Sequence, residues 1–229
     1  MQVEILADDS AVARRAAAFI AEQARAAVRE RGHFTLAVSG GRTPWAMLRA
    51  LAGEDLPWAQ VQLFQVDERV APAGDPVRNL TNIQASLLDH APLPAANVHA
   101  MPVEAPDLDS AARDYAAALQ RVCGTPPVLD LVHLGLGADG HTASLVPGDP
   151  VLQVLDADVA LTAPYMGHRR MTLSYPMLNR ARRILWLATG SSKRAMLARL
   201  LAADVSIPAG RVASRHAIVL ADREASGSA

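Results

Sequence analysis

Short, almost uninterrupted apolar segments that alternate with helical segments constrain the fold of this 229-residue chain more than any other feature. The segments are Phe34–Val38, Val61–Val66, Leu129–Leu136, Arg183–Ala188 and, more weakly, Ala217–Leu220. Strands that are apolar on both faces occur in parallel sheets that are covered on both sides. We therefore expect an α/β fold, a three-layer and mostly parallel sheet with helices on both faces. A single domain over residues 1–224 and a flexible tail over residues 225–229 complete this prediction.

Three helices are predicted around these strands. The segment Ser10–Arg31 has apolar residues at helical spacing, and Gly32 is placed to end it. A second helix begins at Thr43-Pro44, where an N-cap residue type precedes a proline at the first helical position, and it ends near Ala52. A third follows the fourth strand and ends near Ala202.

The charge balance excludes several classes of partner. Lys and Arg total 22 against 23 Asp and Glu, so a net charge of −1 gives no global field for nucleic acid or a membrane surface. An anionic substrate would need a local cluster of cations. The single cysteine, Cys123, is expected in a loop and allows no disulfide within the chain. With no signal-like start and no apolar run near ~20 residues, we expect a cytoplasmic protein, a monomer or small homo-oligomer, without nucleic-acid or membrane partners.

Polar or glycine-rich motifs follow the strands, where ligands bind in open parallel sheets. The stretch 39–44, Ser-Gly-Gly-Arg-Thr-Pro, leads into a helix N-terminus and fits either a phosphate site or an ordinary tight turn. The stretch 135–140 matches the dinucleotide pattern G-x-G-x-x-G, but Pro147 and Gly148 cut short the helix that such a site requires. The motifs are therefore expected to converge on one cleft without a dinucleotide.

Histidines and nucleophile motifs give little support for metal or triad chemistry. None of the seven histidines has metal-ligand spacing, and there is no cysteine cluster, so we expect no metal site. A G-x-S-x-G nucleophile elbow is absent. His141 is distinguished by its setting, because it follows a glycine at the end of a predicted strand.

Taken together, the motifs over about residues 35 to 222 resemble the 6-phosphogluconolactonases, a family of Rossmann-like, sugar-phosphate isomerase type. The matching stretches are Ser39-Gly40-Gly41-x-Thr43-Pro44, Asp67-Glu68-Arg69 with Asp75 and Asn79, Leu134 to Gly148 with its Asp139-Gly140-His141-Thr142-Ala143-Ser144-Leu145 core, Arg170-Met171-Thr172-Leu173 with Leu178-Asn179, Thr189-Gly190-x-x-Lys193, and Pro208-Ala209. Two positions depart from the family pattern. Val146 replaces a usual Phe, and Arg78 replaces a commoner Ser, which affects the substrate contacts expected beside Asn79.

The resemblance implies hydrolysis of 6-phosphogluconolactone to 6-phosphogluconate without a metal or other cofactor. His141 would be the general base, Asp67 would orient it, and Arg69 would either stabilise the oxyanion or hold sugar hydroxyls. The residues expected to bind the substrate and its phosphate are Ser39, Gly40, Gly41, Arg42, Thr43, Asn79, Arg170 and Lys193.

Two alternative functions stay open on the sequence. A glucosamine-6-phosphate deaminase has a similar fold, but its loop typically continues Gly-His-Ile-Ala-Phe-Asn-Glu, whereas residues 140–145 are Gly-His-Thr-Ala-Ser-Leu. A non-catalytic sugar-phosphate-binding module would share the fold as well, because a fold does not determine function. A turnover assay separates these alternatives.

Overall fold

The computed structural model describes residues 1–227, and over this range the chain forms ten β-strands and seven α-helices. The strands are β1 (Gln2–Leu6), β2 (Phe34–Val38), β3 (Val61–Gln65), β4 (Asp67–Arg69), β5 (Val98–His99), β6 (Leu131–Gly135), β7 (Val159–Leu161), β8 (Arg170–Leu173), β9 (Arg183–Ala188) and β10 (Ala217–Asp222). The helices are α1 (Asp9–Arg31), α2 (Arg42–Leu51), α3 (Asn79–Ile83), α4 (Leu108–Cys123), α5 (Tyr175–Asn179), α6 (Arg194–Leu201) and α7 (Arg223–Ser226).

Seven strands form one sheet in the order β1-β10-β9-β6-β2-β3-β5, and every neighbouring pair is parallel. The predicted parallel α/β fold is confirmed. From β2 the chain proceeds outward through β3 to β5, and from β6 it proceeds the other way through β9 to β10. The strand order therefore reverses between β2 and β6, which is where a ligand crevice is expected.

Helices and core residues cover both faces of this sheet. One face packs against α1 and α2, and the other carries α4, α6 and a second, three-stranded sheet. Helix α1 begins where the side chain of Asp8 accepts a hydrogen bond from the Ala11 N–H at 2.7 Å, and it ends at Gly32, whose φ is +80°. Its buried face is rich in alanine, which lets the helix lie close to the sheet.

The second sheet was not predicted from the sequence. It has the order β4-β8-β7 and is antiparallel. Asp67-Glu68-Arg69, which directly follows the predicted strand Val61–Val66, is itself strand β4. Three polar residues contain no apolar alternation that would predict a strand. They form one because they pair with β8, more than 100 residues later in the chain.

Two further expectations are corrected at the ends of helices. Cys123 is the last residue of α4 and half-buried, not part of a loop. The predicted tail begins inside α7, where Ala225 is buried and donates its N–H to the Asp222 carboxylate at 2.7 Å. The remainder of that prediction, residues 228–229, lies outside the described residues. Across residues 1–227, the helices are all too short or too polar to span a bilayer.

Buried side chains connect β2 to β6. The Asp130 carboxylate accepts hydrogen bonds from the Thr35 N–H at 2.9 Å and the Thr35 hydroxyl at 3.0 Å. Further along, the Ser39 N–H donates to Nδ1 of His133 at 3.3 Å, and the Ser39 hydroxyl donates to the His133 carbonyl at 3.1 Å. His133 is fully buried, and its Nε2 has no partner among the described residues. Burial lowers the pKa of His133 to about 3.

We expect His133 to make the fold sensitive to acid. In the unfolded chain a histidine has a pKa near ~6.5, so below that pH the unfolded state binds a proton that the folded state excludes. The free energy of unfolding should therefore decrease as the pH is lowered, by up to about 1.4 kcal/mol per pH unit. In His133→Leu this slope should be shallower between about pH 6 and pH 4 in denaturant unfolding. His216→Leu, at an exposed histidine, is the control, and equal slopes in both variants would contradict the assignment.

Candidate active site

A cleft of about 260 Å³ opens at the carboxyl ends of β2 and β6, where the strand order reverses. Most of the residues singled out from the sequence line it. The lining residues are Ser39, Gly40, Gly41, Asp67, Arg69, Asn79, Gly135, Leu136, Gly137, Ala138, His141, Ala143, Arg170 and Lys193. Motifs that are distant in sequence thus converge here, as predicted from the strand ends.

His141 lies on the turn after β6 and is held by Asp139. Its Nδ1 is 2.6 Å from Oδ1 of Asp139, and its backbone N–H donates to the same oxygen at 3.1 Å. The turn is closed by a hydrogen bond from the Gly137 N–H to the His141 carbonyl at 2.8 Å. A Cβ on Gly137 would lie 2.2 Å from Nδ1 of His141, so only glycine allows the imidazole to lie over this turn. The geometry leaves Nε2 as the nitrogen available to a ligand.

Asp139 is shared between His141 and Tyr165. The Tyr165 hydroxyl donates to Oδ2 of Asp139 at 3.0 Å, and the Tyr165 ring meets the His141 ring edge-on at 5.8 Å between centroids. Burial alone would raise the pKa of Asp139, but the hydrogen bonds from His141 and Tyr165 and the charge of His141 outweigh it and lower the pKa. Asp139 is therefore held as a carboxylate beside the imidazole.

The prediction that Asp67 orients His141 is wrong about the partner. Oδ2 of Asp67 accepts a hydrogen bond from the Ser144 hydroxyl at 2.6 Å, and Oδ1 accepts one from the Asn79 amide at 3.3 Å. Asp67 is buried, and these bonds connect β4 to the loop after His141 and to the start of α3. Asp139 takes the orienting position because it lies only two residues before His141 in the same turn.

Arg69 and Arg170 face each other directly across the β4–β8 ladder. Like charges in opposed positions of an antiparallel pair are destabilising. Within residues 1–227, neither guanidinium forms an ion pair, although Arg69 donates to the Asn79 side chain. Burial, and then the charge of Arg69, lower the pKa of Arg170, which is 5% exposed. An anion in the cleft would offset this repulsion.

Lys193 and the Ser39-Gly40-Gly41 turn complete the cleft. Lys193 is half-buried, and burial lowers its pKa although the charge of Asp139 opposes the shift. A Cβ on Gly40 would lie 1.9 Å from Oδ1 of Asn79, so a larger residue would push the turn out of the cleft. Backbone of this turn and a cation from the start of α6 thereby face the same space.

Two residues expected to bind substrate do not line the cleft. Arg42 lines a separate cavity of about 250 Å³ on the other side of the α2 N-terminus, together with Asp8 and Asp222. The Thr43 hydroxyl is hydrogen-bonded to that of Thr189 at 2.6 Å. Gly41 separates them from the cleft with a φ of +132°, which turns the chain away into α2.

Glu68 and Arg78 form a buried ion pair behind the cleft. Nε of Arg78 is 3.2 Å from Oε2 of Glu68, and the two side chains are 3% and 0% exposed. Glu68 also accepts the backbone N–H groups of Arg69, Asn79 and Leu80 at 2.7–2.8 Å. Arg78 is absent from the cleft lining, so its departure from the family pattern supports the scaffold and not the ligand surface.

A larger cavity, of about 660 Å³, opens at the opposite edge of the sheet. Three of its five arginines form ion pairs, because Arg31 and Arg182 both approach Asp130 and Arg180 pairs with Asp158. It brings no imidazole against a carboxylate in the way that Asp139 and His141 do. Over residues 1–227, no cluster of three or more His, Cys, Asp or Glu side chains is arranged to hold a metal ion.

We expect Arg78→Met to destabilise the fold by about 3–5 kcal/mol, because it leaves the buried Glu68 carboxylate without its cation. Adding Glu68→Gln should restore part of the loss, since the buried charge is then removed as well. Urea unfolding of the single and double variants measures both effects. Arg49→Met, at an exposed arginine of α2, is the control and should change stability by less than about 0.5 kcal/mol. A loss in Arg78→Met no larger than in this control would contradict the account.

Comparison with known proteins identifies relatives over nearly the whole chain. A family profile described as "Glucosamine-6-phosphate isomerases/6-phosphogluconolactonase" matches residues 7–220. The 6-phosphogluconolactonase of Synechocystis sp. is 37% identical over 207 residues, covering 89% of this chain and 86% of the relative. That of Mycobacterium tuberculosis is 35% identical, covering 97% of this chain and 96% of the relative.

Solved structures agree with this assignment. The 6-phosphogluconolactonase of Thermotoga maritima superposes with a TM-score of 0.85 at 28% identity, over 96% of this chain and 98% of that chain. A monomeric glucosamine-6-phosphate deaminase also superposes with a TM-score of 0.85, over 100% of both chains, but at 20% identity it shows the fold alone. By profile, sequence and structure, the chain belongs to the glucosamine-6-phosphate isomerase/6-phosphogluconolactonase family.

Proposed function

We propose that the protein hydrolyses 6-phospho-D-glucono-1,5-lactone to 6-phospho-D-gluconate in the cleft between β2 and β6. The observation that carries the proposal is the pairing of a carboxylate-oriented imidazole, His141, with two unneutralised guanidinium groups in one small cleft. An ester that carries a phosphate needs both features, a base for water and cations for the anion. The similar proteins of Synechocystis and Thermotoga are named for this activity.

His141 is the general base of the proposed reaction. A δ-lactone is an activated ester, so water attacks its carbonyl carbon once a base removes a proton, and no metal or cofactor is needed. Nε2 of His141 accepts that proton because Nδ1 is directed at Asp139. The imidazolium then returns the proton to the ring oxygen as the C1–O5 bond breaks, giving the open-chain acid.

Asp139 and the cations divide the remaining tasks. Asp139 fixes the tautomer of His141 and stabilises the imidazolium that forms, as a carboxylate hydrogen-bonded to Nδ1 of a catalytic histidine does in other hydrolases. Arg170 and Lys193 hold the phosphate, together with the N–H groups of the Ser39-Gly40-Gly41 turn. Arg69 lies opposite Arg170 and either stabilises the developing oxyanion or holds sugar hydroxyls.

The loop after His141 favours the lactonase over a deaminase. Ser144 is fully buried and donates its hydroxyl to Asp67, and Thr142 is fully buried beside it. A deaminase loop with Phe at the position of Ser144 could not form that hydrogen bond. A non-catalytic binding module would have no use for an oriented imidazole with a free Nε2.

The test is turnover of freshly generated 6-phosphogluconolactone, measured against its spontaneous hydrolysis. The protein should accelerate ring opening, and His141→Asn should lower kcat/KM by about 10²–10⁴-fold, the usual contribution of general acid–base catalysis. His33→Asn, at an exposed histidine far from the cleft, should leave kcat/KM unchanged. Because His141 lies in a strand-end turn, thermal stability and binding of 6-phosphogluconate should persist in His141→Asn.

Two results would reject the proposal. A folded protein that never exceeds spontaneous hydrolysis is not a lactonase, and release of ammonia from glucosamine-6-phosphate would support the deaminase instead. If His141→Asn keeps more than about a tenth of the parental activity, less than ~1.4 kcal/mol of transition-state stabilisation was lost and His141 is not the base.

A further inference from the structure

We infer that Tyr165 is a positioning residue that acts through Asp139, keeping this carboxylate on His141 and away from the cations of the cleft. The inference rests on the proposed function, because it assigns a role to a residue beside the proposed base. Tyr165 lies between β7 and β8 and carries no motif in the sequence. Its hydroxyl and its ring make separate contacts, with Asp139 and Arg170 respectively.

The two carboxylate oxygens of Asp139 have different partners. Oδ1 accepts the backbone N–H of His141 and lies against its ring, and Oδ2 accepts the Tyr165 hydroxyl, the one other side-chain donor to Asp139 within residues 1–227. The Asp139 side chain is 39% exposed, so packing does not fix its rotation. Without the hydroxyl, this carboxylate would be free to rotate about its terminal bond.

A rotated Asp139 would be drawn to the cations of the cleft. Its charge already acts on Lys193, and Arg170 lies beneath the Tyr165 ring, with its guanidinium carbon 5.0 Å from the ring centroid. Either cation would attract an unrestrained carboxylate. Asp139 would then leave His141 in an unfixed tautomer and would neutralise a cation that the substrate phosphate requires. The Tyr165 hydroxyl prevents both effects.

Tyr165 is itself held in place by its backbone. It closes a tight hairpin with His168, through N–H···O bonds of 2.9 and 3.3 Å. Both residues at the tip have positive φ, +50° at Met166 and +85° at Gly167. Positive φ at both central residues is what the type I′ turn of a two-residue hairpin requires. The hairpin thus fixes the backbone from which the Tyr165 hydroxyl reaches Asp139.

The variant Tyr165→Phe removes the hydroxyl alone and keeps the ring over Arg170. We expect kcat to fall about 10-fold, the size of one charge-assisted hydrogen bond. The acidic limb of the pH profile of kcat/KM should move to lower pH, because an Asp139 carboxylate that has turned towards the cations no longer stabilises the protonated imidazole of His141. A merely structural loss would lower activity without moving that limb.

Tyr175→Phe is the matched control. It makes the same chemical change at a buried tyrosine whose hydroxyl donates to the Pro208 carbonyl at 3.0 Å, outside the cleft. Its kcat per folded molecule and its acid limb should equal those of the parent. If Tyr165→Phe behaves like this control, with kcat within about twofold of the parent and an unmoved limb, the inference is overturned.

A second measurement is independent of turnover. Long-range ¹H–¹⁵N spectra of the histidines report which ring nitrogen of His141 carries the proton. The parent should show the Nδ1–H tautomer, and Tyr165→Phe should show a shift towards Nε2–H. An unchanged tautomer overturns the inference even if the parent has no lactonase activity, whereas a shift without parental turnover supports it and rejects only the proposed function.

Discussion

The pairing of β2 with β6 is the contact on which the rest of the site depends. The two strands are about 95 residues apart in sequence, and buried polar side chains join them, Asp130 to Thr35 and His133 to Ser39. Because the chain leaves this pair in opposite directions, its connecting loops diverge above the strand ends and leave a crevice. A shift between the two strands would separate the Ser39 turn from His141.

In and behind the cleft, the protein itself neutralises or hydrogen-bonds the carboxylates but leaves the cations without an ion pair. The carboxylates are each engaged by the protein itself, through His141, buried hydrogen bonds or a buried arginine; they are Asp67, Glu68 and Asp139. The cations that line the cleft, Arg69, Arg170 and Lys193, form no ion pair with any of the described residues. Burying such groups unpaired costs stability, which is characteristic of a surface that awaits an anionic ligand.

The sequence predicts the parts of this structure that follow from local patterns. Strand β2 has the predicted bounds because five consecutive apolar or β-branched residues end at a glycine turn. Strand β4 was missed because polar residues become a strand only through pairing with β8. The orienting role was assigned to Asp67 although Asp139 is two residues from His141, since sequence gives no side-chain direction. Tyr165 was invisible because its place depends on a hairpin whose tip gives no strong turn signal.

The proposed reaction requires the cleft to hold a phosphate at its cations while His141 faces the lactone carbon. The most direct test compares Lys193→Met with the parent on 6-phosphogluconolactone and on gluconolactone, which lacks the phosphate. We predict a loss of about 10- to 150-fold in kcat/KM on the phosphorylated substrate and little change on gluconolactone. Arg42→Met, outside the cleft, should change neither value. Equal losses on both substrates in Lys193→Met would contradict the claim.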